Sequence, residues 1–167
     1  MTSLSLCPVC IMQTLMLLLA ANGAPVLAGN LLKTRCAWPL DSGLRLADDR
    51  PLLGQTKTWR GLVSGVGMTA GVAALLAIDV WTGFMFGILA MGGDLLSSFI
   101  KRRLGKKSSS RARGLDTVPE SLLPAWILRE HLSLSVIDIA VIIGLFFLFE
   151  ENLSPLLYKW HIRKRPY

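Results

Sequence analysis

VWTGFMFGILAMGGDLLSSFIKRR, residues 80–103, is the stretch that decides how this chain is read. Between residues 80 and 100 the only charge is Asp94, and then Lys101, Arg102 and Arg103 arrive together. At ~1.5 Å per residue such a run crosses the ~30 Å of hydrocarbon in a bilayer. A basic triplet at its end marks the cytoplasmic side.

The rest of the chain repeats that pattern. About half of the residues are hydrophobic, 52%, yet the formal net charge is +7, so apolar and basic residues must be segregated. Lys and Arg fall in three clusters, 33–60, 101–113 and 159–165, with Arg129 alone outside them. A soluble core has no need of such segregation. The sequence predicts an all-α polytopic membrane helix bundle of about five transmembrane helices, at about 11–29, 61–78, 80–100, 118–130 and 134–150. Polar cytoplasmic loops occupy about 30–60 and 101–117, with a cytoplasmic tail at 151–167. The length suits one integral membrane domain, multi-pass in the plasma membrane.

Individual segments refine this outline. An apolar run near the N-terminus resembles a secretory signal but lacks a basic n-region, so it reads as a first span that tolerates Gly23 and Pro25. Asp79 marks a very short turn between the second and third spans. The segment 118–130 is short and contains Pro119 and Pro124, which suits a tilted span or a re-entrant one. Placing all the basic clusters on one side requires an odd number of crossings, hence a true fourth span of five. In the second span, Gly61/Gly65 and Gly67/Gly71 form two small-x-x-x-small pairs. Packing within the bundle is the first reading of these pairs, and a homodimer seam is the alternative. Cys7 and Cys10 form a C-x-x-C, which without a βαβ context or a second pair is weak evidence for redox or zinc chemistry.

Chemistry concentrates where acids meet the basic loops. An acid inside an apolar run is costly and is by default a functional hypothesis. Helical spacing places Asp94, Ser97 or Ser98, Lys101 and Gly105 on one face, with ~10 Å of rise from Asp94 to Lys101. That is comparable to an extended triphosphate. A carboxylate able to hold Mg²⁺, neighbouring hydroxyls and cations one turn on are what nucleotide phosphates require. The plain alternative is a positive-inside anchor with Asp94 paired to one of its bases.

Lys57, Thr58 and Arg60 precede the second span at the same interface, offering a point charge and a bidentate fork for phosphate oxygens. Glycine does not stand before Lys57, which sets aside a P-loop ATPase. Asp116 and Glu120, four apart, share a helical face and complete a metal site with Asp94, or else Asp116 merely caps its helix. His131 lies near a span end and reads as interfacial, as does His161. Glu150 and Glu151 read as the end of the last helix.

Asn22-Gly23-Ala24-Pro25, Leu53-Gly54 through Lys57-Thr58-Trp59-Arg60-Gly61, Gly93-Asp94 through Lys101-Arg102-Arg103-Leu104-Gly105, and Leu115-Asp116 together resemble the CDP-archaeol synthase family. These are CTP-dependent lipid-phosphate cytidylyltransferases distantly akin to CDP-diacylglycerol synthases. The chain departs from the family pattern at Thr117, where glutamine is common, and at Pro119-Glu120.

The resemblance implies that a lipid phosphate oxygen attacks the α-phosphorus of CTP and pyrophosphate leaves. It implies Asp94, Lys57 and Lys101 as catalytic residues, and Asp94 and Asp116 as Mg²⁺ ligands. Lys57, Thr58, Arg60, Ser97, Ser98, Lys101 and Arg102 would bind substrate. The partners implied are CTP and a membrane lipid phosphate, not nucleic acid. Two rival classes remain, a small transporter using Asp94 and Asp138 as intramembrane acids, and a non-catalytic binder of anionic lipid headgroups.

Overall fold

The computed structural model describes residues 6–106 and 114–159 of the 167. They form five α-helices: α1 Pro8–Leu32, α2 Trp59–Leu75, α3 Val80–Arg103, α4 Thr117–Ile127 and α5 Val136–Lys159. The serine-containing part of the second loop, the tail beyond residue 159 and His161 lie outside the described residues. Between α1 and α2 the chain is held by turns and two isolated antiparallel bridges, Pro39 to Thr58 and Arg45 to Pro51.

The helices run alternately up and down, with α1 against α2, α3 and α5, α3 against α2 and α4, and α4 against α5. This gives the bundle two distinct ends. One gathers the C-terminus of α1, the 33–58 loop, the N-terminus of α2, the C-terminus of α3 and the N-terminus of α4. The other gathers the N-termini of α1, α3 and α5. The core between them is apolar, with Leu17, Leu18, Phe86, Ala90, Ile142 and Phe146 almost completely buried.

The outside is apolar too. On α1, Val9, Met12, Met16 and Leu27 are exposed, although Leu17 and Leu18 of the same helix are buried. Leu75, Trp81, Leu145 and Phe149 are exposed on other helices. A helix apolar all round suits a lipid surround rather than water. Among the described residues, α1 and α3 are each long and apolar enough to cross a membrane.

Each helix starts for a legible reason. Thr58 caps α2 by accepting the Gly61 N–H at 3.2 Å. Asp79 accepts from both the N–H and hydroxyl of Thr82, at 2.9 and 3.1 Å, so the two-helix turn expected there is capped by the acid that marks it. Asp138 accepts the Ser135 N–H and hydroxyl at 2.9 and 2.8 Å, and it also takes the Cys7 N–H of α1 at 3.0 Å. That acid is therefore structural, and it lies at the far end of the bundle from Asp94. A polar path linking the two, which a transporter would need, loses one of its expected stations.

α4 has only eleven helical residues, or ~16 Å of rise. Its start reaches Glu150, whose carboxylate accepts the Thr117 hydroxyl at 2.7 Å. Turns over 128–133 then bring the chain to Ser135 beside Cys7. The segment thus passes from one end of the bundle to the other as a short helix plus turns. α5 continues to Lys159, so Glu150 lies within the helix and does not end it.

The glycines of α2 divide by face. A Cβ on Gly65 would meet Met91 Sδ at 2.8 Å and the Ala21 carbonyl at 3.0 Å, so this glycine sets the approach of α2 to α1 and α3. A Cβ on Gly67 or Gly71 would meet nothing within 4 Å. The first glycine pair therefore packs inside the bundle, while the second faces outward.

Candidate functional site

The site grows from the loop that follows α1. Asp41, 9% exposed, accepts N–H bonds from Gly43, Leu53 and Gly54 at 3.1, 2.9 and 3.0 Å. Its partial burial pushes the carboxyl up, but these three donors outweigh that and hold it below its ordinary value of 3.8. Gly54, at φ +100°, adopts a backbone conformation that a side chain would strain. The next residues inherit this order, because the Lys57 N–H bonds the Gly54 carbonyl at 3.1 Å while the Lys57 carbonyl accepts the Leu40 N–H at 2.8 Å. Lys57 therefore projects from a backbone fixed on both sides.

A second set of contacts docks the loop onto α3. Arg103 donates to both carboxylate oxygens of Asp48 at 2.5 Å and to the Pro51 carbonyl at 2.8 Å. Arg50 donates in return to the Arg103 carbonyl at 2.6 Å. Nη1 holds the Asp48 carboxylate while Nη2 holds the Pro51 carbonyl, so the planar fork engages two partners at once, which a lysine's single nitrogen matches poorly. The end of the basic triplet is thus a clamp as well as a topological signal.

Once docked, the loop brings Lys57 to Asp94, and the ammonium and the Asp94 carboxylate form an ion pair. Both side chains are about one-quarter exposed, 23% and 25%. About two turns further along α3, Lys101 pairs with Asp116 at 2.6 Å. Asp116 precedes α4 but makes no side-chain capping bond, so its expected alternative role as a plain cap is not what the structure shows. Each pair joins one lysine and one acid from separate segments.

Behind these pairs stands a residue that the sequence reading placed on Asp116's helical face without ranking it among the site residues. Glu120 is 2% exposed, and its Oε1 has no hydrogen-bond partner. Asp94, Glu150 and Lys57 are its charged neighbours, and the Asn22 side chain bonds to it from α1. Gly93 makes this proximity possible, since a Cβ there would meet the Pro119 carbonyl at 2.4 Å and Glu120 Cα at 2.6 Å. The glycine before Asp94 allows α3 and α4 to touch backbone to backbone. The available signals were the i, i+4 spacing of Asp116 and Glu120 and the pairing of glycine with aspartate at 93–94.

The remaining expected site residues take other positions. Ser97 and Ser98 are buried on the bundle side of α3, with the Ser97 hydroxyl bonded to the Asp94 carbonyl at 2.9 Å. Arg102, 4% exposed, turns back to the Lys106 carbonyl at 2.6 Å. Arg60 donates to the carbonyls of Lys33 and Arg35 at 2.9 and 2.8 Å, satisfying the chain just past the C-terminus of α1. Thr58 is occupied as a cap. Lys57 meets Asp94 and Lys101 meets Asp116, while in this structure Arg60 and Thr58 engage backbone groups.

A cavity of about 80 Å³ adjoins the Lys57–Asp94 pair. Its lining combines polar residues, Thr56, Lys57, Thr58 and Asp94, with apolar ones, Pro25, Leu62, Met91 and Leu95. The volume suits a phosphate group rather than a whole nucleotide. Among the described residues no three Asp, Glu, His or Cys side chains form a ready-made metal cage. Mg²⁺ does not need one, because it is commonly held by one or two carboxylates together with substrate phosphates. The unpartnered carboxylate oxygen of buried Glu120, beside Asp94, is a hard donor of the kind that ion takes.

A family model described as CarS-like, CDP-archaeol synthase, matches residues 8–167. The CDP-archaeol synthase of Sulfurisphaera tokodaii is 32% identical over 156 residues, which cover 89% of this chain and 90% of that relative. That of Hyperthermus butylicus is 46% identical over 105 residues, but the match covers only 59% of either chain. A solved intramembrane enzyme for archaeal membrane lipid biosynthesis superposes with a TM-score of 0.73 at 25% identity, covering 86% of this chain and 91% of that one.

Proposed function

The chain belongs to the CDP-archaeol synthase family of CTP-dependent cytidylyltransferases, and from that premise we propose how its residues transfer CMP to a membrane lipid phosphate. The bundle spans the membrane five times, with the Lys57–Asp94 end facing the cytoplasm. Positive-inside placement of the 33–60 and 101–113 clusters supports this orientation. Archaeol phosphate is the substrate that the relatives' name points to.

A lipid phosphate oxygen attacks the α-phosphorus of CTP, the bond to the β-phosphate oxygen breaks, and pyrophosphate leaves. A phosphate monoester, with a second pKa of ~6, is largely dianionic at neutral pH and needs no side-chain base to activate it. The enzyme's task is then to position two polyanions and offset their charge. Lys57 and Lys101 are placed for this. Without substrate each neutralises an acid. With CTP present, each ammonium turns to phosphate oxygens, which releases Asp94 and Asp116.

Asp94 and Asp116 are the residues that would hold Mg²⁺ together with substrate phosphates, and Glu120 lies beside Asp94. The bound ion would offset charge on the transferring and leaving phosphates. Ser97 and Ser98 support the helix carrying Asp94, and Arg102 adds positive potential at the same end. Leu62, Met91 and Leu95 supply apolar lining beside which a lipid substrate's phosphate would sit. One observation carries the reading: two lysine–acid pairs, drawn from α3 and from the segments before α2 and α4, converge at one end of an otherwise apolar bundle.

The test uses purified full-length protein, Mg²⁺, labelled CTP and a panel of ether- and ester-linked lipid phosphates. The expected outcome is a labelled CDP-lipid with stoichiometric pyrophosphate. Folded protein that turns over none of the panel would overturn the reading.

A further inference from the structure

Cys7-Pro8-Val9-Cys10 takes no part in the site described above, and it sits at the opposite end of the bundle. The two cysteines form a disulfide within the first turn of α1. The bland expectation is a stabilising staple, but a staple gains most when it closes a long loop. Here the sequence separation is three residues. The long-range tie at this point is a hydrogen bond from the Cys7 N–H to the Asp138 carboxylate of α5, which involves neither sulfur atom.

What the bridge does possess is the setting of an exchangeable pair. Cys7 is the N-cap of α1, Pro8 opens the helix, and the Cys10 N–H points at Cys7 Sγ at 3.3 Å. A thiolate released at Cys7 is therefore met by an N–H donor and by the positive end of a 25-residue helix. Both cysteines are half-buried, between the exposed side chains of Leu6, Pro8 and Val9. A small thiol can reach them. The third cysteine, Cys36, is exposed and unbridged, and it stands in the loop at the other end of the molecule.

We propose that Cys7 and Cys10 form a reversible dithiol–disulfide site on the extracytoplasmic face, exchanging with small thiols and disulfides. The assignment of the face rests on the five-span orientation given above. In the reducing direction an external thiolate attacks Cys10 Sγ, the bond to Cys7 breaks, and Cys7 leaves as the helix-stabilised thiolate. A second external thiolate attacks the external sulfur of the mixed disulfide, releasing Cys10 thiolate and a small disulfide. Two electrons pass from two external thiols to the protein, and each cysteine thiolate takes up a proton. A small disulfide reverses the sequence.

The experiment uses full-length protein in sealed right-side-out vesicles with a membrane-impermeant mass-tagged maleimide. Without reductant, no tag is expected in intact vesicles and one tag, on Cys36, after permeabilisation. Treatment of intact vesicles with an impermeant phosphine should add two tags, on Cys7 and Cys10, and subsequent oxidised glutathione should remove both sites together. Cys7→Ser should leave Cys10 open to tagging with no reductant.

Three results would overturn the proposal: tagging of Cys7 and Cys10 without reductant, resistance to the phosphine until the protein is denatured, or access only after permeabilisation. CMP transfer measured in the same vesicles reports on the distant site separately. A failure there leaves the cysteine result readable, and the Cys7→Ser, Cys10→Ser double variant should retain transfer within about twofold.

Discussion

The two ends of this bundle use similar residues for different purposes. At the end that carries Cys7, the acids are local caps: Asp79 bonds Thr82 three residues on, and Asp138 bonds Ser135 three residues back, with the Cys7 N–H as its single distant partner. At the other end the acids reach across the fold. Asp94 meets Lys57, Asp116 meets Lys101 from beyond the second loop, and Asp48 meets Arg103, 55 residues away. A cap satisfies its own helix and has little left to offer a ligand. An acid paired with a lysine from another segment can exchange that partner for a cation and a phosphate.

The contrast is sharpest at Asp94 and Asp138. Asp94→Asn should lower CMP transfer by about a hundredfold or more while the protein still folds, because a neutral amide is a poor Mg²⁺ ligand and cannot hold Lys57. Asp138→Asn should lower the melting temperature and leave transfer by the folded fraction nearly unchanged. Equal losses of transfer would erase the distinction between the ends. Next in size is Lys101→Met, for which the CTP concentration giving half-maximal rate should rise by about tenfold. An unchanged requirement would make Lys101 a membrane anchor only.

Packing offers the third comparison. Gly93→Ala must part α3 from α4 and should destabilise the protein by ~1–3 kcal/mol, whereas Gly67→Ala, facing open space, should stay within ~0.5 kcal/mol. Thermal unfolding in detergent distinguishes them. A smaller effect is expected for Arg103→Lys, which cannot hold Asp48 and the Pro51 carbonyl with separate nitrogens and should reduce transfer about two- to threefold through a looser 33–58 loop.

The smallest effect concerns pH. Folding holds the Asp41 carboxyl below 3.8, so its contribution is complete above that value and is lost as pH falls through the lowered one. Asp41→Asn should therefore flatten part of the acid limb of the stability curve. An unaltered limb would show that the loop's order does not depend on that charge.

Much of the architecture was legible because it follows from one-dimensional physics. Apolar runs and basic clusters placed all five helices, and Asp79 fixed the short turn between α2 and α3. The ends of helices were less legible. α5 runs past Glu150 because that carboxylate finds Thr117 on a neighbouring helix, a contact no local pattern announces. At the site, Asp94, Lys57, Lys101 and Asp116 were readable, since an acid in an apolar run and cations at its end are conspicuous. The contacts of Arg60 were not readable, because the carbonyls of Lys33 and Arg35 that it bonds lie 25 and more residues away in the chain. Glu120 could be placed on a face but not given its importance, which depends on the backbone contact at Gly93. Asp41 and Asp48 left no signal, because their partners are distant or are backbone N–H groups.

The cavity beside Lys57 and Asp94 lies where polar and apolar side chains meet. A reaction completed on that boundary sends its two products into different phases. Pyrophosphate departs into three-dimensional solution, while the CDP-lipid diffuses away in the plane of the bilayer. Reversal requires both to meet again at the same small seam, so the boundary itself separates the products and slows the return.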